Sequence, residues 1–387
     1  MTTFYFNQPL SIKLRFTLLA LASAAMAIFA AILMTEPGQL LNLNRDWIVL
    51  YYRYKWFYGA VNLLLFVGVV YLSLKYRIWR TVYLLFAGAG IVLALYAANA
   101  LLDHFFPTKH KNAVYIAIQQ ADKLLADEEI VYAVEIGGEA VAYPRRFMEI
   151  PHVAGKTIGD KNLAMTFCAL SNLPVVYDTQ LDGRDTSLGI LTQTHNNLVL
   201  YDDNSGELIQ QITGETEFGA APMQTYANQM MSWKTFKAIY PQGEVFEYKF
   251  DRWLDKALLA LFADGMAQQF DPEKGPLFPT LRLDDSRLPL KEQVWGLNIN
   301  GEQVAFARSF FDKHPTYNTS VGGVSIVLSY NTDYDTLGIY RRKSGTEITV
   351  VDVYGNSPVG KLSRVPSYNG VFWMVWSHFF PDTRVMQ

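Results

Sequence analysis

The sequence predicts an α+β protein: three N-terminal transmembrane helices followed by a strand-rich body of two pseudo-repeated halves. Three observations carry this. The first 102 residues hold three long apolar runs without a charge. The charge then changes sign: residues 1–112 have ten Lys/Arg against three Asp/Glu, while residues 113–387 have 23 against 33. Finally, a 48-residue pattern occurs twice in the body, at an offset of 163.

The apolar runs are Phe16–Met34, Phe57–Ser73 and Val82–Leu102. At about 1.5 Å rise per residue, each is long enough for a hydrocarbon core of roughly 30 Å, the second only just. A signal peptide or a buried core helix would explain one such run, not three. Tyr51, Tyr52, Tyr54 and Trp56 before the second run and Tyr71 near its end suit the membrane interface. Lys13 and Arg15 precede the first run, and Lys75, Arg77 and Arg80 crowd the short 74–81 loop. Placing these five in the cytoplasm leaves five others outside: Arg45, Arg53, Lys55, Lys109 and Lys111. The count is a tie, and the density of the 74–81 loop decides it. The expectation is a multi-pass protein of the inner (cell) membrane, its body outside the cytoplasm. Membrane lipid and other membrane or envelope proteins are the expected partners. Nucleic acid is excluded as a partner, because an acidic body cannot neutralise phosphates.

The body is expected to divide into a first half at 113–250, a helical insertion and linker at 251–291, and a second half at 292–387, with the transmembrane region at 1–112. Val131–Asp178 aligns without a gap on Val294–Arg341, with ten identities. In each copy an alternating strand meets a two-residue turn, Gly137-Gly138 or Asn300-Gly301, of the kind that suits a type I′ hairpin. A second alternating strand follows (Glu139–Tyr143 or Glu302–Phe306), then an apolar one (Leu163–Phe167 or Ser325–Tyr330). Each copy closes with a Trp eight residues before a Pro, Trp233/Pro241 and Trp373/Pro381, framing a short helix. Within the insertion, Trp253, Leu254, Leu258, Leu261 and Phe262 lie on one helical face of a predicted helix near 252–270. The Pro/Asp-rich stretch Asp271–Pro279 reads as a loop.

Several motifs in the body belong together. They are Ala142-Tyr143-Pro144, Pro151-His152 leading to Thr157-Ile158-Gly159, and Thr166-Phe167-Cys168-Ala169-Leu170-Ser171-Asn172. They continue with His195-Asn196-Asn197-Leu198-Val199-Leu200-Tyr201-Asp202, Ser205-Gly206, Ile212-Thr213-Gly214-Glu215 and Arg287-Leu288-Pro289. Over roughly residues 120–385 the chain resembles the family catalogued as domain of unknown function 3179. The resemblance implies an envelope-type protein whose activity is unassigned. Where the family pattern has two cysteines, this chain has Cys168 and Ser171, so the chemistry of a dithiol does not carry over.

Cys168 is the only cysteine, so no intramolecular disulfide can form. Three readings of it stay open. It is a small buried residue at a strand end, or a single reactive thiol to which Ser171 donates a hydrogen bond. The third reading makes it a ligand, with His152 and His195, of a transition metal that soft thiolate and imidazole donors suit. Ser171, Asn196 and Asn197 are the candidate ligand-binding residues around it. The loop Asn331–Thr336 alternates acidic and amide side chains but lacks the Gly and Glu that a helix-loop-helix calcium site needs, and reads as a solvated turn. Phosphate-loop, zinc-protease and serine-hydrolase motifs are absent. Two functions follow: a membrane-anchored extracytoplasmic protein with a single-thiol or Cys/His metal site in its first half, or a non-catalytic binding or structural module of an envelope complex.

Overall fold

Three helices, Leu10–Met34, Arg45–Tyr76 and Thr81–Asn99, are long and apolar enough to cross a membrane. The computed structural model describes residues 9–78 and 81–387, with side chains throughout except at 81 and 261–269; Arg80 therefore lies outside the described residues. The chain divides into two compact units, Met1–His104 and Phe105–Gln387.

In the first unit, large side chains such as Leu21, Leu64, Phe86 and Leu93 point outward. Ser23 and Asn62 are buried between helices, and other polar groups bridge the helices nearby. Asn62 Nδ2 donates to Ser23 O (2.8 Å) while Ser23 Oγ donates to Asn62 Oδ1 (3.2 Å). Tyr58 Oη donates to Met26 O (2.6 Å) and Asn99 Nδ2 to Tyr51 Oη (2.9 Å). Small residues and paired polar groups at such seams hold apolar helices together where burial from water contributes nothing. The second helix begins well before the predicted run, because Asn44 caps it through its side chain (2.8 Å to Asp46 N). Capping sets a helix start; apolarity sets only the part that can face lipid.

The second unit is strand-rich and holds five sheets of three to five strands in a propeller-like arrangement, plus two short ribbons. One sheet has the order Val114–Ala117, Glu244–Glu247, Glu139–Pro144, Ile130–Ile136, Gln229–Ser232. The next runs Thr225–Tyr226, Leu173–Asp178, Lys161–Cys168, Val153–Ile158. A third contains Leu208–Gln210, Asn197–Asp202 and Leu188–Thr194. The fourth is Tyr368–Phe372, Gln293–Ile299, Glu302–Ala307, Arg384–Met386, and the fifth Thr316–Val321, Val324–Asn331, Thr336–Arg341.

This corrects the expectation of two pseudo-repeated halves. The aligned segments do fold alike locally. Gly137-Gly138 and Asn300-Gly301 turn hairpins with positive φ at all four residues, and each hairpin leads through one helical turn into a three-strand meander. The likeness stops there. The sheet built on Leu188–Thr194 and Asn197–Asp202 has no counterpart after the second meander, so the strands are dealt into five blades and not into two equal copies. A shared hairpin register records local turn chemistry and pleat; it does not fix how many sheets a body closes with.

The short helices Trp233–Ile239 and Trp373–Phe379 form where predicted, their leading tryptophans fully buried. The insertion helix spans Trp253–Phe270. Leu254 and Leu258 face inward, but Trp253 is 76% exposed and does not share their packing. Leu261 and Phe262 fall among the side chains outside the description. Tyr143, Tyr177, Phe306 and Tyr340, which the alignment pairs, are all core residues.

Candidate functional site

Cys168 is the last residue of the strand Lys161–Cys168, and a tight turn through Asn172 (φ +51°) leads into Leu173–Asp178. Only 1% of its surface is exposed. Its thiol donates to the backbone carbonyl of Asn196 (Sγ to O, 3.7 Å). Burial pushes the thiol's pKa up, against the smaller opposing effect of hydrogen bonds from Ser171 and neighbouring backbone. A buried thiol that gives its proton to a carbonyl is the inert form of the residue.

The three candidate ligand-binding residues lie beside it, but turned inward. Asn197 is fully buried and uses every polar valence: Oδ1 accepts from Gln210 Nε2 (2.8 Å) and Ile212 N (3.0 Å), while Nδ2 donates to Gln211 Oε1 (2.8 Å) and Ser171 Oγ (3.3 Å). Gln211 in turn donates to Thr166 Oγ1 and Leu173 O (both 3.1 Å). Ser171 O accepts from Phe372 N (3.0 Å), and Asn172 Nδ2 donates to Gly370 O (2.7 Å), so the turn after Cys168 is fastened to the strand Tyr368–Phe372. Asn196 grips the segment after the insertion helix: its amide donates to Phe278 O (2.8 Å) and Thr280 Oγ1 (3.3 Å), and its Oδ1 accepts from Phe278 N (3.2 Å). The amides of Asn196, Asn197 and Gln211 are thus satisfied within the protein, whereas Asn172 Oδ1 is buried without a partner among the described residues.

The two histidines part company. His152 is buried with its Nδ1–H on Phe167 O (2.9 Å) and its ring 5.1 Å from that of Phe106. Burial pushes its pKa down to about 4, so the ring is neutral. His195 sits in the turn between Leu188–Thr194 and Asn197–Asp202, and its ring lies 4.6 Å from that of His378. His378 Nδ1 accepts from Arg282 N (2.9 Å); burial, then His195, push its pKa down to about 4. Among the described residues no group of three His, Cys, Asp or Glu side chains converges as metal ligands. This arrangement gives no support to the expected transition-metal triad of His152, Cys168 and His195: the His195 ring lies against His378, and His152 places Nδ1 on a carbonyl.

Residues 107–383 match the family described as Protein of unknown function (DUF3179). The chain belongs to that family. No curated protein and no solved structure matches it. In this DUF3179 domain Asn172 makes the turn after Cys168 at a positive φ that Asn tolerates.

Sequence reasoning missed Gln210, Gln211 and His378. The first two had a signal: adjacent amides flanked by the buried Ile209 and Ile212 must find partners inside. Among the described residues, two open polar clefts lie elsewhere in the DUF3179 domain, and Cys168 does not line them. One, of about 530 Å³, is walled by His110, Lys111, Lys156 and Thr157. Gly155, which also lines it, lets the chain at His110 pass close by; a Cβ on Gly155 would stand 2.0 Å from His110 O. The other, of about 610 Å³, is lined by Glu135, Tyr226, Tyr354, Lys361 and Arg364.

Proposed function

We propose that this chain is a membrane-anchored binding protein, the non-catalytic alternative, and that Cys168 is part of its framework. The observation that carries this is the state of Cys168: enclosed, protonated and bonded to Asn196 O, near the amides of Asn197 and Gln211, which satisfy one another. The polar groups that a ligand could reach are in the open clefts. The body lies outside the cytoplasm in this reading, supported by the basic residues Lys75, Arg77 and Arg80 between the second and third apolar helices.

The test is thiol accessibility in the full chain held in detergent. A small maleimide is expected to modify Cys168 only after denaturation, and Cys168→Ala is expected to leave metal content unchanged. Native labelling at the rate of a free cysteine, or metal lost on that substitution, sinks the reading. For orientation, a reporter fused after Gln387 that is active only in the cytoplasm overturns the assignment.

A further inference from the structure

The 610 Å³ cleft has an arginine with donors to spare. Arg364 is held in place on one side only: Nη2 donates to Val353 O (3.0 Å) and to Tyr240 Oη (3.4 Å), and the guanidinium lies over the Tyr340 ring at 5.1 Å. Its remaining N–H groups have no partner among the described residues. A planar cation fixed by aromatic rings, with part of its fork uncommitted, is preorganised for a planar oxyanion.

The charges around it select among oxyanions. Lys361 and Glu135, which also line the cleft, face each other at 3.7 Å and offset one another. Glu135 further accepts from Gly138 N (3.1 Å). Tyr226 Oη donates to Asp178 Oδ2 (3.3 Å), which brings a second carboxylate near the wall. The net charge left to the lining is that of Arg364 alone. One positive charge flanked by carboxylates matches a monoanion and disfavours a phosphate dianion.

The walls fit an extended ligand. Thr225–Tyr226 is the edge strand of its sheet, Tyr354 is 44% exposed, and Pro366 also lines the cleft. Edge strands accept added backbone, with side-chain pockets supplying selectivity.

We infer that this cleft binds a ligand through a carboxylate seated on Arg364, with Lys361 supporting and Glu135 rejecting a second negative charge. This deepens the binding-protein reading and rests on it. The carboxylate can come from a peptide chain or from a free small acid.

The experiment titrates the full chain in detergent with three probes: a tetrapeptide with a free C-terminal carboxylate, the same peptide as its amide, and propionate, a small monoacid. The free peptide is expected to bind at least tenfold more tightly than the amide, and binding should weaken as salt rises. Propionate binding as well as the peptide identifies a small acid as the source; propionate failing where the peptide binds identifies a chain. Arg364→Lys is expected to lose tenfold or more, because an ammonium cannot form the fork, and Glu135→Gln to gain a few-fold. Since Arg364 also holds Val353, its variants are read beside Lys361→Gln, an exposed change expected to weaken binding a few-fold without harm to folding. Equal affinity for acid and amide, no binding of any probe, or an unchanged Lys361→Gln overturns the inference. Failure here with Cys168 still unlabelled leaves the binding-protein reading standing, so the two are separable.

Discussion

Asn197 and Gln211 are joined by a 2.8 Å hydrogen bond at a point where neither has any surface exposed. Asn197→Leu keeps roughly the volume but strands Gln211 Oε1 and Ile212 N, while Gln210 Nε2 keeps Leu198 O and Ser171 Oγ keeps Cys168 O. Buried groups left without partners cost about 1–3 kcal/mol each, partly relieved by rearrangement. The expected loss is about 3 kcal/mol, read as a fall in Tm of roughly 6–12 °C. A variant as stable as the parent shows that the amide cluster is not what fastens these strands.

Stability should decline in acid through His152. Its folded pKa, about 4, lies below the ordinary value of about 6.5, so the unfolded chain binds more protons in between. The contribution is full above pH 6.5 and is lost as pH falls to 4, by about 3 kcal/mol at most. His378 acts in the same direction, more weakly because it is partly solvated. His152 has φ +54°, which Asn tolerates, so His152→Asn is the substitution to compare. Its denaturation midpoint should vary less between pH 6.5 and 4; an identical pH slope refutes the assignment.

Tyr340 lies over Gly338, where an added Cβ would meet the ring 2.4–2.6 Å away. Because Tyr340 is core and holds Arg364 beneath it, the ring has little room to give. Gly338→Ala is expected to cost about 1–3 kcal/mol. Gly275→Ala, where a Cβ meets nothing, should be near neutral. Chemical denaturation of the pair checks this, and equal midpoints contradict it.

Within the apolar helices, Asn62→Leu removes the reciprocal pair with Ser23. The expected loss is about 1 kcal/mol, since interhelical hydrogen bonds in lipid are modest. Unfolding in mixed detergent micelles measures it, and a stabilised variant counts against the pairing.

What the sequence disclosed followed from local rules. The apolar runs announced the three helices by length alone, and Gly137-Gly138 and Asn300-Gly301 announced their hairpins because few other dipeptides adopt positive φ twice. Cys168 was rightly put at a strand end for the same reason: the apolar run before it stops there. Pairings between distant segments were illegible. Nothing in Glu244–Glu247 says that it lies parallel beside Glu139–Pro144, and so the number of sheets could not be read. Asn196-Asn197 were candidate ligand-binding residues; only the fold reveals that one fastens Phe278 and the other Gln211. His195 was paired on paper with Cys168, yet its true neighbour, His378, is 183 positions away and carries no motif.

The close passage of His110 over Gly155 bears on how the body can be cut free. Lys109 N donates to Val153 O (2.8 Å) and Gly155 N to Lys109 O (3.1 Å), so residues 109–110 lie as an extra edge along Val153–Ile158. A soluble fragment begun at residue 113, where the charge pattern suggests a boundary, forfeits that edge and bares the glycine beneath it. One begun at Phe105 keeps both. The shorter fragment should therefore be the one that proteases nick and that self-associates through the exposed strand.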